Sequence, residues 1–289
     1  MRFAVVAHRA SATNTALVDA ARSCGLEAML VEPRRALQLL EPGDVALARL
    51  DVCDRLDGVE SGLAEIEHLL AGGVEVLNPP GSLVVAHDKL LTARALRLAG
   101  LPHPHTSLIA GGAPATAPEV PLVLKPRFGG SGGDVVLCRS SDELRAALER
   151  VSLTAWFREH GVLAQELVEP RGRDLRLVVA GERVVGATRG VTSRGERRTN
   201  AALGADVEPV DAPALARTLA IAAARAVRAD LVGVDLLPTR SGFVVLELSG
   251  AVDFRSFRTE TTDIHVEAVL ALLDAAVVRR TPVAVPAGA

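Results

Sequence analysis

Leu122-Val123-Leu124-Lys125-Pro126-Arg127-Phe128-Gly129-Gly130-Ser131-Gly132-Gly133-Asp134-Val135-Val136-Leu137-Cys138 is the stretch on which the fold turns. An apolar run ends in a lysine, passes through a glycine-rich segment and resumes as a second apolar run that reads as strand. A P-loop is excluded, because it requires Gly-Lys-Ser/Thr opening a helix. The pattern instead predicts a β-hairpin whose glycines let backbone N–H groups close over phosphate oxygens. Taken alone, the same segment also fits a flexible hairpin tip that binds nothing.

Lys125 and Lys89 are the only two lysines among 32 basic residues; all the others are arginines. A compact ammonium on a flexible stem suits a site between phosphate oxygens, where a planar guanidinium fork is too wide. Codon bias with two accidental survivors is the plainer alternative.

Working outward, the chain of 289 residues is 49% hydrophobic and 23% charged, which is globular composition with room for two domains or one elaborated domain. A net charge of −3, 2% aromatics and no tyrosine argue against single-stranded nucleic-acid binding, which needs a basic groove and stacking rings, and no nucleic-acid partner is expected. The arginines between Arg171 and Arg198 do not outweigh that balance. The long uncharged stretch, Leu98–Pro118, is broken by Pro102, Pro104, Pro114 and Gly111-Gly112, so it reads as a linker and not as a membrane span. The N-terminus is too soon charged for a signal peptide and reads as a first strand. Cys24, Cys53 and Cys138 are odd in number and lack metal-ligand spacing, as expected of free thiols in a reducing cytoplasm. His103 and His105 flank Pro104 and read as surface loop residues.

Upstream, short apolar runs (Phe3–Ala7, Ala28–Val31, Ala36–Leu40, Val45–Leu50, Val74–Leu77) alternate with helical stretches near Asn14–Cys24 and Gly62–Ala71. This predicts a small parallel sheet with crossover helices, without a dinucleotide fingerprint. Asn78-Pro79-Pro80-Gly81-Ser82 breaks the chain, and one helix containing Asp88-Lys89 is expected to run on to Gly100. Downstream, Ser140 with Glu143 has capping-box spacing for a helix through Arg150, and Val162–Val168 is strand. Asp174–Ala180 and Arg183–Arg189 form a hairpin around Gly181-Glu182, with Asp174 expected directly opposite Arg189.

Leu231–Pro238 and Phe243–Ser249 read as a second hairpin. With its turn centred on Ser241, Asp235 and Glu247 face each other across the strands, and Ser249 points to the same face. Facing carboxylates repel, so a cation should neutralise them, and magnesium is the hard cation that takes carboxylates together with nucleotide phosphates. On this reading Asp235→Asn and Glu247→Gln leave metal-free stability unchanged or raise it. A register with one carboxylate turned to solvent is the alternative.

Together, Lys125 before the glycine hairpin, Gln165-Glu166-Leu167-Val168, Asp174-Leu175-Arg176, Arg198-Thr199-Asn200, Gly233-Val234-Asp235 and Glu247-x-Ser249 resemble the ATP-grasp ligases. The resemblance runs from about Leu77 to Asp274 and is to the RimK-like branch, which includes the ribosomal-protein glutamate ligase and the amino-group-carrier ligases. It implies an α/β N-terminal domain (residues 1–84), then an ATP-grasp α+β fold of two subdomains (85–162 and 163–289). It further implies ATP held by Lys89, Lys125, the flap residues Ser131 and Gly132, a hinge strand Glu166-Leu167-Val168 reading adenine, Asp174, and Arg198, Thr199 and Asn200 at the phosphate end. Lys125 and Arg198 take the catalytic roles. Asp235, Glu247 and Ser249 ligate Mg²⁺ (or Mn²⁺), although the family usually carries Asn at the position of Ser249. The activity implied is amide formation through an acyl phosphate, adding an amino acid such as glutamate to an amine, peptide or carrier protein, by a cytoplasmic homo-oligomer (dimer or tetramer). A nucleotide-binding regulatory or scaffold protein with a degraded metal site is the second reading, prompted by Ser249.

Overall fold

Apolar runs too short for helices make the first sheet. In the computed structural model, β1 (Arg2–Val6), β2 (Glu27–Val31), β3 (Val45–Ala48) and β4 (Glu75–Leu77) pair in parallel in the order β2-β1-β3-β4. The crossovers are α1 (Ala12–Ser23), α2 (Pro33–Leu39) and α3 (Leu63–Ala71). Ser11 caps α1 by accepting from the Asn14 amide. The run Ala36–Leu40 lies largely in α2 and is not a strand: Pro33 occupies the first turn, where its fixed φ suits a helix and its missing N–H would have no partner anyway. The structure describes residues 1–111, 118–129, 134–168, 173–191, 206–254, 257 and 263–280.

The single helix expected across Asp88-Lys89 is two: α4 (Pro80–His87) and α5 (Lys89–Leu98). Asp88 is extended (φ −94°, ψ 101°) and accepts from the amides of Leu90 and Leu91, so it caps the second helix instead of continuing the first. The buried carboxylate is paired by Arg127, whose Nε and Nη2 both donate to it. Two helices result because Asp88 is worth more as a cap and an ion-pair partner than as a helical residue.

A second sheet, β5 (Thr106–Ile109), β6 (Leu122–Pro126), β7 (Val136–Cys138) and β8 (Val162–Glu166), is antiparallel in the order β5-β8-β6-β7. Strands β6 and β7 pair directly, so the glycine-rich segment between them joins a hairpin. The helices α6 (Ser141–Val151), capped by Ser140 as its spacing with Glu143 predicts, and α7 (Ala155–His160) cover this sheet around Leu122, Leu144 and Trp156. Because β8 pairs with both β5 and β6, this sheet continues past residue 162 and the chain leaves it after Glu166.

The third sheet is antiparallel, in the order β11-β10-β9-β12-β13, from β9 (Arg173–Ala180), β10 (Arg183–Val191), β11 (Asp206–Pro209), β12 (Leu231–Pro238) and β13 (Phe243–Ser249). The helix α8 (Ala214–Val227) covers one face around Leu177, Val232 and Val245; α9 (Ile264–Arg280) joins a core shared with Phe3, Leu17, Val178 and Phe254. Two register irregularities decide which side chains meet. In the β9–β10 hairpin a bulge at Val185 shifts the pairing, so Asp174 faces Gly190 and not Arg189, which lies opposite Leu175. In the β12–β13 hairpin the loop is four residues, Thr239–Gly242, and a bulge at Leu246 brings the strands back into step, so Asp235 does face Glu247.

The first and third sheets are stapled through Asn78. At φ 56° it turns its side chain to accept from the amides of Asp230 and Leu231 and to donate to the Leu231 carbonyl, while its own amide donates to Asp230. Arg279 pairs with the same aspartate and lies 3.6 Å from Glu75.

Candidate active site

Breaking the helix at Asp88 sets Lys89 at the start of α5, and its ammonium reaches two elements at once. Nζ lies 3.2 Å from Glu247 Oε1 on β13 and donates to the Gly129 carbonyl at the base of the glycine hairpin. The Lys89 amide donates to the Arg127 carbonyl at 3.1 Å, a second tie from α5 to that hairpin. Asp88 and Arg127 thus fix where Lys89 points, and nothing local in the sequence marks them for that role.

Lys125 is interior to the second sheet and only 6% exposed. Burial pushes its pKa down to about 8, with Glu247 opposing the shift and Lys89 adding to it. The same cations act on Glu247: burial raises its pKa, but Lys89 and Lys125, with Arg176, more than offset that and hold it below the ordinary carboxylate range. Across the hairpin Asp235 behaves oppositely. Burial raises its pKa to about 6 against the pull of Arg176, and Glu247 and Asp174 push it further up. Arg176 is the register partner of Asp235 on β9, with Nε 3.5 Å from Oδ1. That Nε is buried and makes no hydrogen bond, so the pair is held by charge alone.

Lys89 and Lys125 thus balance Glu247, whereas Arg176 balances Asp235 only in part, since Glu247 and Asp174 still push its pKa up. The repulsion that remains at Asp235 is what a cation would relieve. The donor set fits magnesium. Two facing carboxylates at the edge of a lysine-lined space supply hard oxygens and leave other positions for phosphate and water, as that ion prefers. Ser249 faces Gly233, two residues beyond Glu247 on the same side. Among the described residues no group of three His, Cys, Asp or Glu could hold an ion without such help.

Other anticipated residues fall around this centre. Asp174, two residues before Arg176, shares its face and acts on Asp235. Glu166 ends β8 with its amide donating to the His105 carbonyl at 2.8 Å, and Leu167 and Val168 follow it beyond the strand. Ser131, Gly132, Arg198, Thr199 and Asn200 lie outside the described residues. His103, read as a surface loop residue, is half-buried. Its Nδ1 donates to the Val245 carbonyl at 2.7 Å, and the Val245 amide donates to the Pro102 carbonyl, tying the linker to β13. Burial lowers the pKa of His103.

Residues 86–272 match the RimK-like ATP-grasp domain. The chain belongs to the RimK-like ATP-grasp family. Relatives within this family include a probable alpha-L-glutamate ligase of Pasteurella multocida, 32% identical over 218 residues, which are 73% of this chain and 68% of that protein. A glutamate–LysW ligase, ArgX, of Sulfurisphaera tokodaii is 30% identical over 227 residues, 76% of this chain and 80% of its own. The crystal structure of a RimK-domain ATP-grasp protein from Sphaerobacter thermophilus superposes with a TM-score of 0.66 at 25% identity, covering 94% of this chain and all of that one. The RimK-like match begins at α4, so it takes in Lys89, Lys125, Asp235 and Glu247. No helix among the described residues is long and apolar enough to cross a membrane.

Proposed function

We propose that the protein is an ATP-dependent carboxylate–amine ligase that joins an amino acid such as glutamate to an amine, a peptide or a carrier protein through an acyl phosphate. The observation that carries this reading is the convergence of Lys89 and Lys125 on Glu247, opposite Asp235, at the base of the glycine hairpin. A substrate carboxylate takes the γ-phosphoryl group, giving an acyl phosphate and ADP; an amine then displaces phosphate and forms the amide. This chemistry needs no nucleophile from the chain, since positioning and charge stabilisation suffice for phosphoryl transfer.

Lys89 and Lys125 bind and orient the phosphates, and the flap at Ser131 and Gly132 covers them. Asp174, with Arg198, Thr199 and Asn200, holds the phosphate end, and Leu167-Val168 after Glu166 holds the base. Asp235, Glu247 and Ser249 would hold Mg²⁺ or Mn²⁺, which when bound neutralises phosphate charge. Arg176 keeps Asp235 charged and in place. The name of one relative, a glutamate–LysW ligase, pairs glutamate with a named partner, which supports glutamate as the amino acid here.

The test is incubation with ATP, Mg²⁺ and an amino-acid panel, with and without a peptide acceptor. ADP and phosphate released only with an amino acid support the ligase. AMP and pyrophosphate contradict the acyl phosphate, and tight ATP binding without any turnover returns the regulatory reading.

A further inference from the structure

Beyond the ATP site, the first sheet carries a cation that the chemistry above does not use. Its strand order reverses between β1 and β3, and open parallel sheets bind ligands at the carboxyl ends of strands where the order reverses. Arg49 is the residue directly after β3, and α1 starts after β1, so the arginine and the helix N-terminus share that edge. Arg49 is 4% exposed. Its amide donates to the Val6 carbonyl, Nε donates to Asn14 Oδ1 in the first turn of α1 at 2.6 Å, and Nη2 donates to the Val252 carbonyl at 2.8 Å.

The third nitrogen, Nη1, is buried and has no hydrogen-bond partner. No carboxylate among the described residues forms an ion pair with this guanidinium. Asp51 and Asp253 act on it only at a distance, and Asp253 accepts from Thr13 Oγ1 at 3.2 Å. Burial pulls the Arg49 pKa down to about 10, which leaves it cationic at neutral pH. A buried donor and a buried charge both call for an acceptor, and an anion near a helix N-terminus gains from the helix dipole too.

The place is close to the reacting centre. Val252, whose carbonyl holds Arg49, packs over Gly233, where a Cβ would meet Val252 Cγ2 at 2.9 Å and Arg176 Nε at 3.6 Å. Arg176 is the partner of Asp235. Val252 thus links Arg49 to the strand that carries Asp235.

We infer that Arg49 and the N-terminus of α1 form a carboxylate-binding subsite for a substrate other than ATP. This rests on the ligase reading, which requires such a substrate. Two sources share the chemistry: the α-carboxylate of the free amino acid, and the C-terminal carboxylate of a peptide acceptor.

Binding of L-glutamate and of its α-carboxamide, and separately of Ala-Glu and its C-terminal amide, is measured by calorimetry on the full chain, without nucleotide and with a non-hydrolysable ATP analogue. Wild type is expected to bind the carboxylate form of one of the two probes at least tenfold more tightly than its amide. Whichever probe shows the preference identifies the source. Arg49→Met, which keeps the buried stem, is expected to bind both forms alike, and Arg49→Lys, which keeps a charge without the fork, to retain only part of the preference. Binding of the ATP analogue should be within twofold of wild type in each variant. No preference in wild type for either probe, or an undiminished preference in the variants, overturns the inference. Arg49→Lys decides the case if Arg49→Met does not fold. Failure of wild type to bind the ATP analogue would instead strike the ligase reading, with the carboxylate preference still read independently.

Discussion

Asp235 and Glu247 face each other on neighbouring strands, yet the surrounding charges treat them oppositely. Glu247 lies under two ammonium groups that favour its ionised form; Asp235 has one weakly engaged guanidinium and pays for burial with a raised pKa near 6. The fold therefore disfavours ionised Asp235 above pH 6, and that penalty fades as pH falls toward its ordinary value. Ionised Glu247 contributes stability that is lost as pH falls through its depressed value. Metal-free Asp235→Asn should accordingly be more stable than wild type at pH 7, by on the order of 1 kcal/mol after solvent screening, with the difference shrinking toward pH 4. Glu247→Gln should be less stable by roughly 1–3 kcal/mol, because it leaves Lys89 and Lys125 without their counter-charge. Denaturant unfolding at pH 7 and pH 4.5 checks both; equal effects of the two variants would show that the cations do not discriminate between them. Lys125→Arg should lower ATP turnover at least tenfold, since a wider fork must enter a buried site, whereas Arg145→Lys, on an exposed helix face beside Asp142, should stay within twofold. Ser249→Asn, which extends a neutral oxygen toward the carboxylates, should lower the free Mg²⁺ needed for half-maximal activity. An unchanged requirement would place the serine outside the metal's reach.

At the scale of elements, the lysines, the glycine hairpin and the carboxylate pair were legible because each rests on strand alternation or on local composition. What could not be read were the departures from regular repeats. The Val185 bulge moves Asp174 from Arg189 to Gly190, and no residue type at that position announces it. Asp235 and Glu247 pair as the alternation suggests only because the Leu246 bulge offsets a loop one residue different from the simple hairpin. Asp88 looked like one more residue of an apolar helix; its role as a cap depends on Arg127, 39 residues later in the chain. That dependence gives a prediction at the same scale. Asp88→Ser keeps an oxygen for the Leu90 and Leu91 amides but drops the bond to Arg127, so it should retain most of the cap, worth about 1 kcal/mol, while weakening ATP binding through a displaced Lys89. Asp88→Ala should lose both. Thermal unfolding with and without nucleotide distinguishes them, and equal nucleotide affinity in Asp88→Ser and wild type would show that Arg127 does not position Lys89.

At the scale of the molecule, three sheets are tied into one body by a few polar side chains. Asn78, Asp230 and Arg279 tie the first sheet to the third, while Lys89, Pro102 and His103 tie the second to β13. The family and the order of its parts followed from motifs spread along the chain, but the way cations are shared among those parts arises only when the sheets converge. On the proposed reading this convergence makes an amide through an acyl phosphate, using Lys125 and Glu247. Its most direct measurement is the nucleotide product formed from ATP in the presence of Mg²⁺, L-glutamate and a peptide acceptor, by wild type and by Lys125→Met and Glu247→Gln. Wild type is expected to release glutamate-dependent ADP and phosphate, and either variant at least a hundredfold less. AMP and pyrophosphate, or turnover that survives both substitutions, would contradict it.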